Sequence, residues 1–137
     1  LYARDEGFDV RFESDVAQVV TRHVSEPHAH DRGWIAEAAE GRRGCLFCMH
    51  EDDETARLRL FLVEPEVRGA GLGRRLLDAG LAHARATGHA RLVVSTYDSH
   101  RAACRLYAAA GFARRAGRPV QAYWRELVEV AFTKGLR

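Results

Sequence analysis

Between Val67 and Arg75 the chain reads Val-Arg-Gly-Ala-Gly-Leu-Gly-Arg-Arg and then enters a leucine-rich run. A glycine turn that opens a helix leaves backbone N–H groups unpaired where the helix dipole adds partial positive charge. Glycine also lets a ligand approach the backbone closely. Such a turn is suited to holding phosphate. Two nucleotide-binding patterns fit it poorly. A Walker A loop ends in Gly-Lys-Ser/Thr, whereas Gly73 is followed by Arg74 and Arg75. A dinucleotide fingerprint wants a third glycine where Leu76 stands, and an acid at the end of the next strand, where Ser95-Thr96-Tyr97 stands with Asp98 close by.

Cys45-x-x-Cys48 invites a metal or redox reading, and His28, His30 and His50 could add ligands. The pair falls in a predicted strand, where residues three apart face opposite sides, and the chain has no second cysteine pair. No metal is therefore expected. Cys104 reads as a small buried residue rather than a nucleophile. Trp34, Tyr123 and Trp124 either line a pocket or pack in the core.

Behind these residues stands an ordinary globular composition. The chain has 137 residues, 47% hydrophobic and 29% charged, which suits one domain and argues against disorder. Net charge is +2, too balanced to point to nucleic acid or a membrane surface. No apolar run approaches the roughly 20 residues of a membrane span, and no secretory signal is visible. Of 21 basic residues all but Lys134 are arginine, a bias that weakens any single arginine as a phosphate ligand. Three cysteines cannot all pair, which fits a reducing cytoplasm. The chain opens on Leu1 rather than Met, and is read as a piece of a longer protein.

Periodicity predicts a helix over 13–23, strands over 34–38, 45–50 and 55–63, a helix over 73–87, a strand over 90–96, a helix from a Ser99 cap to Ala110, and final strands near 112–116 and 121–131. In the third strand Leu58, Leu60 and Leu62 share one face, and Arg57, Arg59, Phe61 and Val63 the other. The second helix buries Leu72, Leu76, Leu77, Leu81 and Ala84. Gly88 and Gly111 stop the two later helices. A strand–helix–strand stretch implies a parallel crossover, and the flanking meanders make the whole an α/β fold with a mixed sheet.

Arg68-x-x-Gly71-x-Gly73, preceded by Val63-x-Pro65 and followed by Leu106-Tyr107-Ala108-Ala109-Ala110-Gly111-Phe112, resembles the two motifs of the GNAT N-acetyltransferase superfamily. The resemblance spans about residues 34–131. Leu1-Tyr2-Ala3-Arg4 and the Leu58–Val63 strand also resemble GNAT domains fused behind MarR-type regulators, in which a first strand would lie upstream of Leu1. The resemblance implies a mostly antiparallel mixed sheet with a central splayed parallel pair flanked by helices. It implies acetyl-CoA as acyl donor and direct transfer to a primary amine on a small molecule or peptide. Leu62 and Val63 would pair with the pantetheine arm as with an added strand. Amides of Arg68, Gly69, Ala70, Gly71, Leu72, Gly73 and Arg74 would hold the pyrophosphate. Tyr107 would protonate the departing sulfur; as an alternative it is a core aromatic of its helix. His100 stands where many members carry an asparagine that contacts the arm. Arg101 and Arg105 are candidates for a 3′-phosphate contact, and Glu64, Asp98, His100, Glu126 or water for the base. A homodimer through the C-terminal strands, and a non-catalytic acyl-CoA sensor as the alternative function, complete the expectations.

Overall fold

The computed structural model describes residues 28–38, 41–63, 71–115, 117–122 and 125–137. The expected helix at 13–23 lies outside them. Nine elements are described: β1 (Arg32–Ala38), β2 (Gly41–His50), β3 (Thr55–Val63), α1 (Leu72–Ala86), β4 (Arg91–Tyr97), α2 (Arg101–Ala109), β5 (Ala113–Arg114), β6 (Arg118–Ala122) and β7 (Arg125–Gly135). The strands form one sheet in the order β1-β2-β3-β4-β7-β5, with β6 also on β7. Every pair is antiparallel except β3 and β4, which the α1 crossover makes parallel.

Helix α1 forms because its apolar residues recur at helical spacing; it buries Leu76, Leu77, Gly80, Leu81 and Ala84, while Leu72 of the expected stripe is partly buried. Each buried leucine contributes about 1.5–3 kcal/mol. Gly80 sets the approach to the sheet: a Cβ there would stand 3.1 Å from side-chain carbons of Leu46 in β2 and Leu58 in β3. Gly88 closes the helix at φ 83°, and Gly111 follows α2 at φ 91°, both left-handed as predicted. One core joins these leucines to Trp34, Leu92, Val94, Tyr107, Phe112, Val130 and Phe132. Trp34 is thus a core residue, packed edge-on against His83.

Several boundaries differ from expectation: β1 starts at Arg32 rather than 34, β2 starts at Gly41 rather than 45, and two further differences bear on the site. Helix α2 starts at Arg101 with His100, not Ser99, at its N-cap. The Asp98 amide still donates to the Val128 carbonyl at 2.7 Å and the His100 amide to Tyr97, so the chain stays tied to the sheet past Ser99. The single strand expected at 121–131 is two, because β6 and β7 pair as a hairpin from Arg118↔Glu129 to Ala122↔Arg125.

Candidate active site

The parallel pair β3/β4 is joined only at Thr55↔Arg91, Ala56↔Leu92 and Arg57↔Val93. Both strands continue, β3 to Val63 on β2 and β4 to Tyr97 on β7. They therefore fork, as the resemblance implies.

The fork has a local cause that sequence reading missed. Along β2, Phe47 faces Arg59, yet Cys45 faces Leu62, so β3 carries one extra residue opposite Leu46. Leu60 sits in this bulge at φ 53°. Left-handed backbone costs a non-glycine residue about 1–2 kcal/mol, so the surroundings must hold it. The Cys45 thiol donates to the Leu60 carbonyl at 3.3 Å. A bulge also shifts the alternation. Leu58 is buried, but beyond the extra residue Phe61 and Val63 pack on the core while Leu62 is 52% exposed. The expected Leu58/Leu60/Leu62 face is thereby corrected. Gly44 permits the tight fit of β2 here, since a Cβ would stand 2.8 Å from the Leu62 carbonyl oxygen.

Three elements converge at the fork. A Cβ on Gly73 would lie 3.5 Å from Leu106 of α2 and 3.8 Å from Val63 of β3. Next to Leu106, Tyr107 is 3% exposed and sets its ring against Phe61, Phe112 and Phe132 at centroid distances of 6.2, 5.8 and 5.3 Å. Its hydroxyl has no hydrogen-bond partner among the described residues, nor is it a sealed, unpartnered polar atom. Burial foremost, and Cys104 nearby, push its pKa above the ordinary tyrosine value, so the phenol stays protonated through neutral and mildly alkaline pH.

The start of α1 suits an anion. Gly71 is its N-cap at φ 83°, with no side-chain cap and no acidic residue in the first turn. The Arg75 amide bonds the Gly71 carbonyl at 3.0 Å, which leaves the amides of Leu72, Gly73 and Arg74 ahead of the helix ladder. A Cβ on Gly71 would meet nothing within 4 Å. Arg74 pairs with Asp78 along the exposed face. Arg68, Gly69, Ala70 and Glu64 lie outside the described residues, as do Tyr123 and Trp124.

Elsewhere, His100 is exposed at the α2 N-cap, its Nδ1 3.3 Å from Thr96 Oγ1. Asp98 is paired with Arg114 at 2.7 Å, which occupies one candidate base. Glu126, Arg101 and Arg105 are exposed. Cys48 is buried in the core, and Cys45 reaches the bulge instead; none of the three cysteines forms a disulfide within the chain.

The family described as "Acetyltransferase (GNAT) domain" matches residues 29–114. The chain belongs to the GNAT acetyltransferase family. Among curated relatives of this GNAT domain, human N-acetyltransferase 8B is 29% identical over 127 residues, covering 89% of the chain and 55% of that protein. Mycothiol acetyltransferase of Thermobispora bispora is 48% identical over 52 residues, 38% of the chain and 18% of that protein. The chain thus spans about half, or less than a fifth, of these relatives. In shape, the GNAT domain matches a GNAT family acetyltransferase from Elizabethkingia anophelis, solved with acetyl-CoA bound, at a TM-score of 0.73 and 17% identity, over 96% of this chain and 95% of that one. Among the described residues of the domain no helix is long and apolar enough to cross a membrane.

Proposed function

We propose that this domain transfers an acetyl group from acetyl-CoA directly to a primary amine of a small molecule or peptide. One observation carries the reading: Tyr107 is seated on Phe61, at the point where β3 and β4 part. The likeness over 127 residues to a protein named as an N-acetyltransferase supports a nitrogen acceptor.

Acetyl-CoA supplies an activated thioester. In this reading the amides of Leu72, Gly73 and Arg74 hold its pyrophosphate, with Gly71 giving access and Arg68, Gly69 and Ala70 completing the turn. The backbone of β3 at Leu62 and Val63 takes the pantetheine arm between the diverging strands. His100 donates to that arm from the α2 start. Tyr107 gives its proton to the departing sulfur. No covalent enzyme intermediate is needed, so no Ser-His-Asp set is required, and acyl transfer here involves no metal.

Tyr107→Phe keeps the ring packing and removes the donor. We expect kcat on a responsive amine to fall 10²–10⁴-fold while the Kd for acetyl-CoA stays unchanged. Because burial raises the Tyr107 pKa, its acid form persists upward in pH. The wild-type rate should therefore climb as the amine loses its proton, with no falling limb before about pH 10. Full activity in the phenylalanine variant would show that water protonates the sulfur and would remove Tyr107 from the mechanism.

A further inference from the structure

At the other end of β3/β4, three histidines that the sequence separates are brought together. We propose that His28, His30 and His50 bind one divalent transition-metal ion of the zinc type, at a site separate from acetyl transfer. Each offers a ring nitrogen, and the three lie within 4.8 Å of one another. His50 ends β2 opposite Ala56. Val63 is seven residues farther along β3, so at about 3.3 Å per residue the cluster stands roughly 20 Å from the mouth of the fork.

The hydrogen bonds around His50 fix its tautomer. Thr87 Oγ1 has one proton and gives it to the His83 carbonyl at 2.9 Å. The same oxygen must then accept from His89 Nδ1–H, 2.9 Å away. That leaves His89 Nε2 as an acceptor, and His50 Nδ1–H donates to it at 2.9 Å. His50 Nε2 is consequently left with a bare lone pair. Metal-ligating histidines commonly donate their other N–H in this way, which orients the ring and raises its basicity. Here His89, 4% exposed, is the positioning residue.

His30 supplies a second independent sign. Its Nδ1 is the one buried side-chain nitrogen or oxygen among the described residues with no hydrogen-bond partner. A buried polar nitrogen normally has a partner, and a metal ion would provide one. The loop that carries the pair is already built: the Asp31 carboxylate accepts from the His28 amide at 3.2 Å and the His50 amide at 2.7 Å. His83 Nε2–H donates to the His30 carbonyl at 2.6 Å, tying the loop to α1.

His28 is the ligand that must adjust. Its ring stacks on His50 at 3.7 Å, and its Nδ1 accepts the His30 amide at 3.0 Å. Tetrahedral zinc with Zn–N near 2.0–2.1 Å brings nitrogens to about 3.3 Å apart, so His28 must rotate and give up that bond. Three neutral imidazoles with an open fourth position suit zinc, cobalt, nickel or copper better than magnesium or calcium.

The test uses the purified chain, stripped with chelator and titrated with Zn²⁺ or Co²⁺ alone. One ion per chain should bind at micromolar metal, with the visible absorption of nitrogen-ligated Co²⁺. His28→Ala, a loop substitution, and His30→Ala should each weaken binding at least tenfold, with unchanged circular dichroism confirming the fold. Stoichiometric binding that survives the double variant, or no binding to the wild type, would overturn the proposal. Neither outcome depends on acetyl transfer.

Discussion

The two ends of the β3/β4 pair are built from the same two strands by opposite means. At the closed end the rungs Thr55↔Arg91 to Arg57↔Val93 are intact. The Arg91 guanidinium donates to buried Thr55 Oγ1 at 2.6 Å, and the amides of Ala90 and Arg91 both donate to Glu54. Arg57 reaches across to Ser95 Oγ at 3.2 Å just where the pairing stops. At the open end Leu60 adopts left-handed backbone, position 44 has no room for a Cβ beside the Leu62 carbonyl, and Tyr107 lies beside Phe61. Polar satisfaction is thus concentrated where the strands must stay together, and a bulge is placed where they must part. In the proposed reaction the gap takes an extended substrate arm, which a strand pair joined throughout would not admit.

This contrast can be broken most severely at the helix start. Gly71→Asp puts a carboxylate beside the amides of Leu72, Gly73 and Arg74. Acetyl-CoA binding should be lost in calorimetry, while the melting temperature without ligand changes by only a few degrees. A variant that bound acetyl-CoA as tightly as the wild type would move the phosphate site elsewhere.

A paired comparison of smaller substitutions sharpens the picture. Gly44→Ala drives a Cβ against the Leu62 carbonyl, where 2.8 Å leaves no room. It should destabilise the fold by about 1–3 kcal/mol and raise the KM for acetyl-CoA. Thr55→Val removes the acceptor for Arg91 and the hydroxyl that donates to the Asp52 carboxylate. It should cost about 1 kcal/mol and leave KM unchanged. Urea unfolding and steady-state kinetics on both variants check this; a KM effect from Thr55→Val would mean the ends are not independent.

The sequence revealed the regular parts of this arrangement and hid the irregular ones. The limits of β3 follow from its apolar run and from Pro65 beyond it. The glycine turn and Tyr107 stand out because their spacing is local. The bulge does not: Leu60 is an ordinary strand residue, and strict alternation continues through it in the letters, so Leu62 reads as sharing the face of Leu58. No glycine, proline, asparagine or aspartate marks the step from β6 to β7 between Ala122 and Arg125, so two strands read as one. In the letters His28, His30 and His50 read only as added ligands for Cys45 and Cys48; their grouping without the cysteines, with His89 beside them 61 positions from His28, comes from the folded sheet.

Hydrogen exchange with and without acetyl-CoA measures the central claim directly. The account predicts new protection in the Leu58–Leu62 segment and at Leu72–Arg74, with no change at Thr55–Arg57 and Arg91–Val93, which are already paired. Equal protection at both ends, or protection confined to the closed end, would contradict a fork built to receive acetyl-CoA.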